Sequence, residues 1–143
     1  MIGPIVRSVV AVVLGLSAAM LAIAGVEWVS SILHPFPPGV DPTNYEACKA
    51  HVAQYPAWVL LLAVVGWGLG TFVSSWLATR VGSGRHPAHG IVVGSILLVA
   101  AVANMLMLPY PIWFWVANLA VFPGAFMLGA RLGQPPTRQR AGA

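Results

Sequence analysis

Glu27, Ser30, Ser31 and His34 stand at i, i+3, i+4 and i+7 and therefore share one face of a helix. Two amides, Asn104 and Asn118, interrupt other apolar runs. If the first helix ends near His34, Glu27 lies roughly 10 Å below that end. Asn104 lies roughly 7 Å, and Asn118 about 10 Å, below the corresponding ends of their own helices. A carboxylate and two amides at one level can form an outward-opening polar pocket. Glu27 would carry the charge, the asparagines would orient a solute or ion, and Ser31, His34 and Tyr110 would stand toward the rim. An ionisable group inside a membrane span is costly and faces the bundle interior or water. There is a structural alternative, and the sequence favours it. Glu27 can sit among headgroups while the asparagines hydrogen-bond between helices.

A second grouping, Cys48-x-x-His51, puts a thiol and an imidazole on one helical face. With His34 and an acidic residue it sketches a Zn or Cu site. It lacks a second closely spaced ligand pair, so ordinary surface residues are the expected reading, and no cofactor is expected. Cys48 is the only cysteine, which rules out an internal disulfide and suits a small apolar role. His86 and His89 flank Arg85 and are expected to meet lipid phosphate or solvent. Nucleophile elbows, zinc-protease pairs and phosphate loops are absent. Gly66-Trp-Gly-Leu-Gly70 lies inside an apolar helix and follows no strand, so it is a packing feature.

The elements that must position these residues are apolar. Of 143 residues, 59% are hydrophobic and 7% charged, whereas soluble domains carry about a quarter charged residues. The bilayer is the expected solvent. The pI near 10.0 arises from arginines at the ends of apolar runs, with no basic stripe interleaved with aromatics, so no nucleic-acid partner is expected. Spans are predicted over about 5–33, 57–81, 88–108 and 112–132, each near the roughly 20 residues needed to cross. A competing reading takes Arg7, the uncharged stretch that follows and Ala22-Ile23-Ala24 as a signal peptide. The stretch exceeds the usual h-region of about 7–15 residues, which favours a retained helix.

Pro35, Pro37, Pro38 and Gly39 predict an extended turn after the first span. Thr43 and Glu46 have capping-box spacing, which predicts a short surface helix over 44–54. Gly66, Gly70, Ser74 and Ala78 form a small-residue stripe on the second span, and Gly90 and Gly94 form another on the third. These stripes serve contacts within the bundle, or with a second copy or another membrane protein. Pro123-Gly124 predicts a kink in the last span. Residues 133–143 read as a disordered cytoplasmic tail.

Arg7, Arg80, Arg85, Arg131, Arg138 and Arg140 fall on alternate connectors, which must share one side. The positive-inside rule makes that side the cytoplasm. Both termini are then cytoplasmic, the protein is multi-pass in a bacterial inner (plasma) membrane, and the stretch from Glu27 to Tyr55 faces outward.

His34-Pro-Phe-Pro-Pro-Gly-Val-Asp41-Pro, Gly66-Trp-Gly-Leu-Gly70, Asn104 and Pro109-Tyr-Pro-Ile-Trp113 resemble a group of small uncharacterised bacterial four-helix integral membrane proteins. The resemblance covers most of the chain and implies four spans and no particular activity. That group more often carries histidine between the two prolines, where this chain has Tyr110.

The expected fold is an all-α, four-helix transmembrane bundle, up-down and antiparallel, with a short extracytoplasmic surface helix. The scarcity of intramembrane charge makes a non-enzymatic structural, accessory or assembly component the first functional expectation. Binding or transport of a small solute or ion at Glu27 is the second. A membrane enzyme with Glu27 or His34 as general base is the third.

Overall fold

The computed structural model describes residues 3–136, and within them the chain is all-helical. Four helices are long and apolar enough to cross a membrane: α1 (Pro4–Leu33), α3 (Ala57–Val81), α4 (Ala88–Met107) and α5 (Ile112–Gly133). A short helix, α2 (Tyr45–Val52), lies between the first two. Each span matches its sequence expectation to within a residue or so. Prolines set the starts. Pro4 occupies the first turn of α1, while Pro56, Pro87 and Pro111 immediately precede α3, α4 and α5. Their missing N–H groups cost nothing there, because first-turn donors have no helical partner. α5 continues as one helix through Pro123. Of the expected tail, residues 137–143, including Arg138 and Arg140, lie outside the described residues.

The surface helix forms, but not by the expected capping box. Asn44 is the cap, its side-chain oxygen accepting from the Ala47 N–H at 3.1 Å. Thr43 turns instead to Asp41, whose carboxylate accepts from the Thr43 N–H at 2.9 Å and hydroxyl at 2.7 Å. These two bonds hold the Asp41 carboxyl below the usual carboxylate range. Glu46, freed from capping, pairs with Lys49 at 3.5 Å.

α3 is the centre of the bundle and packs against α1, α4 and α5. At 100° per residue, Gly66, Gly70, Ser74 and Ala78 form one face, nearly opposite Phe72, Trp76 and Thr79. The first face meets α1: a methyl group at Gly66 would strike Val26, one at Gly70 would crowd Ala22, and Gly15 sits against Ala78 and the Ser74 carbonyl. The opposite face meets α5, where Gly129 lies on the Phe72 carbonyl and Gly133 on Thr79 and the Trp76 carbonyl. α4 closes the third side. Gly90 rests on the Ser75 carbonyl, its N–H donates to the Thr79 hydroxyl at 3.2 Å, and the Phe126 ring fills the space beside Gly94. In lipid, helices gain little from hydrophobicity between them, so close backbone approach and dispersion carry the association. The outward faces of the four long helices, from Ile5 and Val9 to Val116 and Leu132, are large exposed apolar side chains, which suits a hydrocarbon surround.

Arg7, Arg80, Arg85 and Arg131 all lie at one end of the bundle, with the described ends of the chain; the proline loop and α2 cover the other. At the arginine end, Arg7 donates to the Val81 carbonyl at 2.8 Å, satisfying a terminal acceptor of α3. His89 and Ser8 lie within hydrogen-bond distance at 2.9 Å and join α4 to α1.

Candidate functional site

α1 and α4 touch at the arginine end, through Ser8 and His89 and then Gly15 and Val93. From Ala19 and Leu97 onward they part, and a cavity of about 320 Å³ opens between them, with α3 as its back wall and Phe122 of α5 beneath. Its polar lining comes from Glu27 on α1, Trp67 and Thr71 on α3, and Asn104 on α4. Ala19, Ala100 and Ala101 leave the space that larger side chains would fill. Trp67 and Thr71, 8% and 2% exposed, are its buried wall, while Glu27 is exposed and stands at its mouth. The Trp67 indole N–H is buried and has no hydrogen-bond partner among the described residues.

Depth follows from the α1–α3 contact. Val26 packs on Gly66, nine residues into α3, about 14 Å from its first residue at 1.5 Å per residue. Glu27, the next residue, therefore lies roughly a third of the way down α3. A carboxylate at that depth is set within the bundle's apolar length rather than beyond it.

The structure brings Glu27 and Asn104 together and leaves Asn118 outside the cavity. Asn118 is fully buried in α5, its amide donating to the Phe114 carbonyl one turn back at 2.8 Å and its own oxygen left without a partner among the described residues. Tyr110 stands above the cavity: its hydroxyl donates to the side-chain amide oxygen of Asn104 at 3.3 Å, and its ring stacks on Phe114 at 4.4 Å. Burial pushes the Tyr110 phenol well above its ordinary value, and the negative charges of Glu27, Tyr55 and Cys48 add to the shift. Tyr55 moves the same way, from burial and then from Glu27 and Cys48. Glu27 and the two tyrosines thus form one electrostatic neighbourhood.

Ser31 takes no part, because its hydroxyl donates to the Trp28 carbonyl of its own helix at 2.7 Å and the side chain is exposed. His34 caps α1 and belongs to an aromatic clasp over the proline-loop end. Its ring stacks on His51 at 4.8 Å and meets the edge of Tyr55 at 5.1 Å; Phe36 covers the other side of His51 at 3.9 Å. His51 Nε2 lies 3.1 Å from the His34 carbonyl. Tyr45 donates to the Met107 carbonyl at 2.7 Å, which ties α2 to the end of α4. The clasp pins α2 and the loop across the bundle end. Cys48 is half-buried, and among the described residues no three His, Cys, Asp or Glu side chains come together in a metal-binding arrangement. Of the three metal candidates, His34 and His51 thus meet as stacked rings, with no third ligand joining them among the described residues.

The glycine stripes meet the roles expected of them inside the bundle, but they do not make the cavity. Gly66 and Gly68 are occupied by Val26 and Val121, and only Gly70 reaches the cavity wall. Sequence reasoning missed Trp67, Thr71 and Phe122. A signal for the first two was present. Trp67 lies in mid-span, away from the interfacial belt that tryptophan prefers, and Thr71 follows it at i+4 on the same face. Phe122 had no such signal. Also missed was Gly129-xxx-Gly133, the small-residue pair that seats α5.

Comparison with protein-family models, with curated proteins and with solved structures finds no match.

Proposed function

We propose that this chain is a multi-pass inner-membrane protein that binds a small solute in the cavity at Glu27, as a binding component or carrier. The observation that supports this most directly is that Glu27 and Asn104, from two different helices, line one cavity with buried Trp67 and Thr71 in its wall. Such concave, mostly apolar spaces with a few convergent polar groups are where small molecules bind, and about 320 Å³ reaches the range of ligand pockets. The arginines at one bundle end orient both termini to the cytoplasm and the proline loop outward, which makes the cavity mouth accessible from the outer half of the bilayer. The test is a thermal-shift screen of the detergent-purified protein against small solutes. Each stabilising compound is then measured on Ala101→Leu, which fills the cavity from α4. Stabilisation abolished by Ala101→Leu supports the reading; compounds that stabilise wild type and variant alike overturn it.

A second reading, an assembly or accessory component, is favoured by one further observation. A wholly apolar groove runs between α1 and α3, lined by Ala18, Ala22, Gly25, Val26 and Val73 among others. It suits a helix from a second copy or another membrane protein. Crosslinking through a cysteine at Gly25, in a Cys48→Ser background, separates a protein contact from lipid alone.

A further inference from the structure

We infer that the solute is an organic monocation with an apolar body, an ammonium or a similar onium group, and that it competes with one proton for Glu27. This inference rests on the reading that the cavity is a solute site. The cavity's only charged lining residue is Glu27; the described residues that line it include no Lys, Arg or His. The one ion pair formed by the described residues is Lys49 with Glu46, so Glu27 has no basic partner among the described residues. An ionised carboxylate in this setting needs a counter-charge, which a proton or a cationic ligand can supply.

Three features choose the kind of cation. A divalent metal would want about six oxygen ligands in a hard, hydrated shell, whereas this cavity offers one carboxylate, one hydroxyl and one amide among apolar walls. Trp67 and Phe122 line the same space, and aromatic faces attract cations most when water is excluded. The apolar remainder of the wall, from Ile23 and Leu97, would bury a hydrocarbon body. A single carboxylate sets the charge at one. Competition follows from the same count: the carboxyl can carry a proton or face the cation, and doing both leaves the cation unpaired.

The titratable groups around Glu27 do not supply an alternative base. Tyr110, from the α4–α5 turn, and Tyr55, from the α2–α3 connector, both keep their protons above their ordinary range. Cys48 reaches this neighbourhood from α2. His34, two turns further along the same face of α1, is engaged in its stack with His51.

The test measures binding of benzyltrimethylammonium to the full chain in detergent or nanodiscs. Its neutral carbon isostere, neopentylbenzene, and the anion phenylmethanesulfonate serve as controls. We expect the cation to bind, the isostere to bind at least about tenfold more weakly, and the anion not to bind. Affinity for the cation should fall by up to about tenfold per unit as pH drops through the titration of the carboxyl, the slope for one displaced proton. Glu27→Gln should remove both the preference and the slope; if that variant does not accumulate, the wild-type slope and isostere ratio carry the same test. Equal binding of cation and isostere, or a pH-independent cation affinity, overturns the monocation inference; if Ala101→Leu abolishes that binding, the solute cavity itself stands. No binding of any of the three overturns the inference, and Ala101→Leu leaving every compound from the solute screen unaffected overturns the cavity reading as well.

Discussion

Replacing Gly129 by alanine should destabilise the bundle, while the same change at Gly124, five residues earlier on the same helix, should not. At Gly124 an added methyl group meets nothing within 4 Å. At Gly129 it would overlap the Phe72 carbonyl and come within 3.0 Å of the Trp76 nitrogen and 3.2 Å of Ser75 Cβ. Two of those three neighbours are backbone, which cannot rotate away, so α5 must move off α3. Overpacking of this kind costs about 1–3 kcal/mol. Both substitutions gain the same helix preference of alanine over glycine, about 1 kcal/mol, and it cancels in their difference. The two variants should therefore differ by about 1–3 kcal/mol, Gly124→Ala being the more stable. Reversible unfolding in mixed micelles of mild detergent and dodecyl sulfate reads the difference directly. Equal midpoints for the two variants would refute the close seating of α5 on α3.

Other consequences divide the cavity from the scaffold. Asn104→Leu should weaken solute binding in the cavity by about tenfold, whereas Asn118→Leu should leave it unchanged. Asn118→Leu should also shift stability by less than about 1.5 kcal/mol, since it removes a buried oxygen that has no partner; paired binding isotherms and unfolding curves check both statements. Arg7→Gln should lower stability by about 1 kcal/mol, measured by unfolding midpoint, because the Val81 carbonyl loses a charge-assisted donor. Tyr55 and Tyr110 hold their protons above the ordinary range in the folded state, whereas unfolded tyrosines release theirs near about 10. The folded state then binds more protons, so the contribution of these two tyrosines to stability should be fully present below about pH 10 and be lost as pH rises past it. Ultraviolet titration of phenolate in wild type and Tyr110→Phe identifies the late-titrating group.

Much of the fold was legible because lipid imposes a simple rule. Backbone groups must bond within each segment, so long apolar runs between proline turns read as helices with few alternatives. The starts predicted at about 57 and 112 are those the structure keeps, directly after Pro56 and Pro111, and the Gly66 stripe marked a face that does meet another helix. The capping box failed because Thr43 and Asn44 are both competent caps. Asp41 captured Thr43 through a local turn, and spacing alone cannot say which of two adjacent side chains wins. Glu27 and Asn104 were recognisable as unusual for their depth. Asn118 was equally unusual, yet it faces its own helix and not the cavity.

The sequence by itself determined the solvent, the number of spans and the alternation of charge between connectors. Each depends on composition and on distance along the chain, which a helix converts into depth at a constant rise. Only tertiary structure decided which side chains share a space. That depends on the rotation of each helix about its axis and on where two helices part, and both are set by contacts between segments distant in sequence. Gly15 on Val93 holds α1 and α4 together, and the alanines beyond leave them apart. The cavity at Glu27 is a product of that divergence.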